Sequence, residues 1–284
     1  MMNTPAQLVD IAEDGLIKKA TSPFRVTFLS AMFAGALIGV GFVFYTTSQV
    51  GAADLPFGLA KVIGGIVFST GLALVIVTGA DLFTSTSMTL LPASDGKLAW
   101  SRLLQHWGVV YLGNFVGSVL IASIVFMAGT PGNAAGGWGA VVLKVSVAKV
   151  SHSWLEVFFL GVMCNFMVCL AVWMSFAGKT VTDKVLAVTF PIALFVASGF
   201  EHSVANMFML PLGLMLKGQA DPTIMEALGT GVNLDALNAG TVLVNNLIPV
   251  TLGNIVGGGV MIGLGMFLWH RRLNAVKASE EVAR

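Results

Sequence analysis

Three ionisable side chains, Asp81, Glu201 and His202, lie deep inside the long apolar runs of this sequence. Charge at mid-bilayer costs at least ~2.5 kcal/mol on insertion scales, so each is a functional candidate. Their chemistry is narrow. A histidine beside a carboxylate can hold or pass a proton, and its charged form attracts an anion. No nucleophile–base set or metal cluster accompanies them, so neither an enzyme, a cofactor nor a metal site is expected. Cys164 and Cys169 share one apolar stretch and offer neither a disulfide framework nor a zinc site.

The neighbours of these residues predict how the backbone presents them. Asp81 opens Asp81-Leu82-Phe83-Thr84-Ser85-Thr86-Ser87, and four consecutive hydroxyl side chains favour local bonds that compete with a helix. An acid followed by Ser/Thr also suits an N-cap. The expectation is a half-helix to about Ala80 and a second from about Ser85, against the alternative of an unbroken helix whose hydroxyls bond back to the preceding turn. Further on, Ser198-Gly199-Phe200-Glu201-His202-Ser203 predicts a second break, with Pro191 kinking the segment before it and Glu201 capping the helix after it. Half-helix N-termini carry partial positive charge, which suits an anionic solute. Irregular backbone at that depth is tolerated only where protein or a water-lined cavity satisfies it. His202 then either fills a core position or lines a pathway, and the adjacent acid and nearby Thr84 favour the pathway. Phe68, Leu72, Leu82, Phe83 and Phe195 are either packing or apolar constrictions above and below the histidine. Asn114, Asn165 and Asn254 read as interhelical hydrogen-bond partners, Asn165 and Asn254 supporting the pathway.

The elements that must position these residues are membrane spans. The chain has 284 residues, 56% hydrophobic and 10% charged, with mean hydropathy +0.87 and net charge +1. A water-facing shell needs more polar residues, which excludes a soluble enzyme, and the charge excludes a nucleic-acid binder. Apolar runs near the ~20 residues a crossing helix needs predict six spans, at 26–45, 62–91, 107–129, 157–177, 185–216 and 248–269, with Pro249 in the first turn of the last. Placing both termini, 92–106 and 178–184 on one side gathers eleven Lys and Arg there against four opposite, so both termini are expected in the cytoplasm. Residues 26–272 form the membrane domain, between a cytoplasmic N-terminal segment (1–25) and a cytoplasmic tail (273–284). The first segment lacks the apolar region of a signal peptide. Its stripe Leu8, Ile11, Ala12, Leu16 and Ile17 predicts a short helix that rests on the membrane or protein body, or plugs a cytoplasmic mouth.

A repeat is visible in the third and sixth spans, where Leu112-Gly113-Asn114-Phe115-Val116-Gly117 returns as Leu252-Gly253-Asn254-Ile255-Val256-Gly257, 140 residues later. The second and fifth spans each carry a mid-span acid, Asp81 and Glu201. Two halves of three spans force the second to insert upside down, with a solute pathway at the midplane between them.

The residues Gly79-Ala80-Asp81-Leu82-Phe83-Thr84-Ser85-Thr86, Ala197 to Met207 and Asn245-Asn246-Leu247-Ile248-Pro249-Val250-Thr251 resemble the formate/nitrite transporter family over essentially all six spans. The Asp-Leu-Phe-Thr-Ser-Thr wording is most like the formate channels. The resemblance implies an all-α, aquaporin-like protomer of two inverted three-helix repeats, helices two and five broken. It implies a homopentamer in the bacterial inner membrane, each protomer with its own pore for formate or a similar small monovalent anion. It also implies Thr84 on a loop facing His202, with apolar slits at Phe68 and Phe195 on the periplasmic side and at Leu72 and Phe83 toward the cytoplasm. The other solutes this leaves are nitrite or hydrosulfide, or, on the fold alone, water or a neutral solute. A protonated His202 attracting formate and lending it a proton is compatible with anion flow and with proton-coupled transport alike.

Overall fold

The computed structural model describes residues 3–273, so the expected tail falls, past its first residue, outside them. Helix α1 (Pro5–Ala20) starts with a reciprocal cap: Gln7 N–H donates to Thr4 Oγ1 at 3.4 Å and Thr4 N–H donates to Gln7 Oε1 at 2.8 Å. Its buried stripe is Leu8, Val9, Ala12, Leu16 and Ala20, rotated from the predicted one, and Ile11 is exposed. Leu8, Val9, Ala12 and Leu16 pack against Met88, Leu91, Val172 and Trp173, so α1 lies on the protein body. Glu13 shares the buried face and is held by Lys97 Nζ at 2.6 Å.

Next come α2 (Phe24–Gln49) and α3 (Phe57–Thr78), then the short pieces α4 (Phe83–Thr86), a 3₁₀ turn (Ser87–Thr89) and α5 (Leu90–Ser94). They are followed by α6 (Trp100–Met127), α7 (Gly137–Ser151) and α8 (Trp154–Ala177). The described chain closes with α9 (Val181–Ala197), α10 (Ser203–Gln219), α11 (Pro222–Leu228) and α12 (Ala239–His270). Among the described residues five helices, α2, α3, α6, α8 and α12, are long and apolar enough to cross a membrane. The predicted span 185–216 is covered by two helices of 17 residues each, α9 and α10. Pro249 lies ten residues into α12 rather than in its first turn. The π-type winding of Val242–Leu247 before it loosens the ladder where the proline donates nothing.

Lipid tails are as apolar as leucine, so such helices are held by close approach and hydrogen bonds. Small residues supply the approach. Gly113 and Gly117 of α6 face the backbone of Phe28 and Met32 on α2, and a methyl group at Gly117 would run into the Met32 carbonyl. The contact recurs between α12 and α8, where Gly253 and Gly257 face the backbone of Phe158 and Val162. The glycines are 140 residues apart and their partners 130. Helix α3 packs on α9, and the two carry the non-helical segments 79–82 and 198–202 into the centre.

Candidate functional site

Helix α3 stops at Gly79 (φ 73°) and α9 at Gly199 (φ 74°), a left-handed conformation that costs glycine little. After the first stop the Ala80 N–H donates to the Val75 carbonyl at 3.1 Å, and after the second the Phe200 N–H donates to the Phe195 carbonyl at 3.0 Å. The next helices are started by asparagines from elsewhere in the chain. Asn114 Oδ1 accepts from the Phe83 N–H at 2.8 Å, while its Nδ2 donates to the carbonyls of Ala31 (2.7 Å) and Asp81 (2.9 Å). Asn254 Oδ1 accepts from the Ser203 N–H at 2.9 Å, and its Nδ2 donates to Gly161 (2.8 Å) and Glu201 (3.0 Å). This corrects the expected caps. Neither acid caps a helix, and Thr84 lies in the first turn of α4 rather than in the loop, while Ser85 to Ser87 are helical as expected.

Both acids face lysines instead. Asp81 Oδ1 lies 3.2 Å from Lys19 Nζ, which donates its hydrogen bond to the Ala80 carbonyl at 3.0 Å. Glu201 Oε1 accepts from Lys149 Nζ at 2.7 Å, and its Oε2 accepts from Asn206 (2.7 Å) and Asn246 (3.3 Å). Each buried carboxylate thus lies beside an ammonium group, in a medium where an isolated ion is prohibitive.

His202 is itself the cap of α10: its Nδ1 accepts from the Ala205 N–H at 3.0 Å. A backbone amide can only donate, so in the neutral ring the hydrogen sits on Nε2. Nε2 is 3.1 Å from Thr84 Oγ1, and with that tautomer it donates to the hydroxyl oxygen, leaving the hydroxyl hydrogen for another acceptor. The other end of Thr84 is fixed: its carbonyl accepts from Asn165 Nδ2 at 3.0 Å and from Cys169 Sγ at 3.3 Å. Asn165 also donates to the Asn254 carbonyl at 2.6 Å and to Ser87 Oγ at 3.1 Å, linking α8 to α12 and to the turn after α4.

Cavities lie on either side of this pair. One of about 200 Å³ on the α7 side is lined by Phe68, Phe195, His202, Glu201, Lys149 and Lys61, among others. The second, about 170 Å³ on the α1 side, is lined by Val75, Ile76, Ala80, Ser85, Lys19 and Lys184, among others. Phe68, Leu72, Val75 and Gly79 recur at helical spacing down one face of α3, from the first cavity to the second. Leu72, Leu82, Phe83 and Thr84 are buried and line neither. The Phe68 and Phe195 rings meet edge to face at 5.8 Å, and Phe195 stacks on His202 at 6.0 Å. Phe83 is turned toward Tyr111 and Trp107 on α6, 4.9 and 6.3 Å away. The site therefore brings His202, Thr84, Glu201, Asn165, Asn254, Phe68 and Phe195 together. Asp81 sits with Lys19 at the second cavity's wall.

Four contributors escaped the sequence reading as site residues: Lys19, Lys149, Asn206 and Asn114. Lys149 had a signal, since a lysine in the apolar stretch Val145 to Val150 needs a partner. Asn114 had one in its match to Asn254. Lys19 and Asn206 had none.

The described arrangement is matched by known proteins. Residues 6–268 match the family described as "Formate/nitrite transporter". The chain is 46% identical over 262 residues to the "Formate channel FocA" of Haemophilus influenzae, covering 92% of each chain. It is 44% identical over 271 residues to the "Formate channel FocA" of Escherichia coli strain K12, covering 95% of each. A solved "Pentameric formate channel with formate bound" superposes with TM-score 0.81 at 44% identity, over 87% of this chain and 97% of that one. A solved "FNT family ion channel" gives 0.78 at 28% identity, over 93% and 98%. With the family matched over nearly its whole length, this multi-pass membrane chain belongs to the formate/nitrite transporter family.

Proposed function

We propose that this chain is a channel for formate and related small monovalent anions, conducting in both directions across the bacterial inner membrane, with no catalytic role. The observation that carries the reading is the Thr84–His202 contact, a polar bridge buried between two lysine-bearing cavities. The relatives named for formate add the substrate.

The architecture supporting it is six crossings in two inverted halves. The second crossing is α3 with α4 and α5, and the fifth is α9 with α10. Equivalent contacts recur at offsets of 120 residues (Asp81 and Glu201), 130 (Lys19 and Lys149) and 140 (Asn114 and Asn254). In this reading α1 and both termini face the cytoplasm and α7 faces the periplasm. Five copies assemble, as in the pentameric relative, with a pore in each.

The chemistry follows from desolvation. A bare carboxylate in an apolar slit faces a cost of tens of kcal/mol in the Born limit. Lysines on both sides attract the anion, and the Thr84 hydroxyl and His202 Nε2–H donate to it where water is excluded. Protonating formate, with a pKa near ~3.7 by analogy with α-carboxyls, costs only about 4 kcal/mol at neutral pH. For His202 to lend that proton, Nδ1 must first be protonated, which expels the Ala205 N–H from it. Hydrogen-bonded anion passage opens the Thr84–His202 contact but leaves the Ala205 cap in place, whereas proton coupling requires that cap to open.

Radiolabelled formate uptake into proteoliposomes tests the reading. Uptake above that of protein-free vesicles, competed by nitrite or acetate and indifferent to sulfate and glucose, is expected. Equal passage of sulfate would overturn the slit.

A further inference from the structure

Each cavity is lined by two lysines, and only one of each two faces an acid. In the first cavity Lys149 donates to Glu201, and in the second Lys19 lies against Asp81 and donates to the Ala80 carbonyl. The other two, Lys61 and Lys184, are half-buried. Among the described residues neither makes an ion pair or donates a side-chain hydrogen bond. Asp183, beside Lys184, is committed elsewhere: its carboxylate accepts from the Lys179 and Thr180 N–H groups at 3.0 Å each. Lys61 Nζ lies 5.4 Å from the Phe57 ring, a contact that engages none of its three donors in a hydrogen bond.

Their positions are matched. Lys61 is the fifth residue of α3 and Lys184 the fourth of α9, two helices that pack together. Helix α3 meets the first cavity at Lys61 and ends in the second at Gly79, while α9 meets the second at Lys184 and ends in the first at Gly199. Lys61 precedes Phe68, Leu72, Val75 and Gly79 on one face, and Lys184 precedes Val188, Phe195 and Gly199 at the same kind of spacing. At about 1.5 Å per residue, each lysine stands roughly 20 Å or more along its helix from that terminal glycine. An anion taking Lys149 from Glu201 would leave a buried carboxylate unpaired, which is strongly unfavourable. An anion at Lys61 or Lys184 breaks no ion pair.

We propose that Lys61 and Lys184 are the anion-binding residues of the two cavities, each ammonium taking an incoming monovalent carboxylate on its own side before the Thr84–His202 contact. This rests on the pore reading above and deepens it by naming which lysine binds on each side. Lys149 and Lys19 neutralise the acids, and the long lysine stems of α3 and α9 keep the receiving charges in water.

The test is initial formate uptake into right-side-out and inside-out membrane vesicles from cells expressing the full-length protein, at equal pH and without a membrane potential. Wild type is compared with Lys61→Gln, Lys184→Gln and the two arginine variants. The readout is the ratio of half-saturating formate concentrations between the two vesicle types, which cancels protein amount and any defect common to both directions. Lys61→Gln should shift that ratio about fivefold and Lys184→Gln about fivefold the opposite way, the attraction of unit charges about 4 Å apart in water. Lys61→Arg and Lys184→Arg should keep the wild-type ratio, because the charge remains. In wild type alone, potassium sulfate that shortens the Debye length from about 30 Å to about 3 Å should raise the half-saturating concentration severalfold in both vesicle types. A ratio unmoved by the glutamine variants, moved the same way by both, or moved equally by arginine would overturn the proposal, as would a wild type indifferent to salt. In those cases wild-type uptake would still stand for the transport reading. Wild-type vesicles that take up no more formate than vesicles without the protein would overturn both.

Discussion

Asn114 and Asn254, 140 residues apart, hold the two non-helical segments in the same way, each accepting from the first amide of the following helix and donating to the carbonyl of the acid before it. One side chain on a long neighbouring helix thereby fixes both edges of a gap. Water could do this at a surface, but not where Asn114 and Asn254 are fully buried.

Replacing either by alanine orphans the first amide of the following helix and the carbonyl of the acid, and removes a second bond to the helical carbonyls of Ala31 or Gly161. A buried unsatisfied group costs about 1–3 kcal/mol, so Asn114→Ala and Asn254→Ala should each lower stability by about 2 kcal/mol or more. Thermal unfolding of the purified protein measures it. Unchanged unfolding in both would mean that the segments hold themselves.

The ion pairs should respond unequally. Removing one partner of a buried pair costs about 3–5 kcal/mol, whereas replacing both recovers much of that. Lys149→Met should therefore be strongly destabilising, and adding Glu201→Gln should restore part of the loss. Lys19, with 38% of its side chain exposed, sits in a better-screened pair, so Lys19→Met should cost less. The order of unfolding temperatures among these variants is the check.

A pH prediction comes from Lys97, outside the spans. Hydrogen bonds to Glu13 and then Asp95 hold its ammonium above the ordinary lysine value. A group raised on folding contributes fully below its unfolded value, about 10.4, and loses the contribution as pH rises through the folded one. The stability gap between wild type and Lys97→Met should stay level through neutral pH and close only above about pH 10.4. A gap closing near neutrality would mean that another group secures α1.

The spans and the two special loops were legible because membranes impose simple rules. Apolar length marks α2, α3, α6, α8 and α12, and glycine with a buried acid marks each gap. The recurring glycine contacts beside Asn114 and Asn254 were legible because close helix packing tolerates little but glycine there. The caps were not. Local grammar assigned Asp81 and Glu201 to the helix starts, but lysines more than fifty residues away in sequence claim both carboxylates. Charge pairing outweighs local capping in such a medium, and no local pattern reveals where the partner lies. The α1 stripe was legible at Leu8, Ala12 and Leu16 but not at its edge, for a related reason: Glu13 is drawn inward by Lys97, with Ile11 turned out.

The most direct test concerns the Thr84–His202 bridge, read by formate flux with simultaneous internal pH in proteoliposomes of wild type, Thr84→Val and His202→Asn. Valine keeps the shape of threonine without the hydroxyl, and asparagine keeps a polar group without a titratable proton. With folding unchanged, Thr84→Val should lose about tenfold in flux, the worth of roughly one hydrogen bond to a charged group. His202→Asn should retain anion flux but lose any proton movement that accompanies wild-type uptake. Wild-type flux in Thr84→Val together with unchanged proton movement in His202→Asn would contradict the bridge as the crossing point.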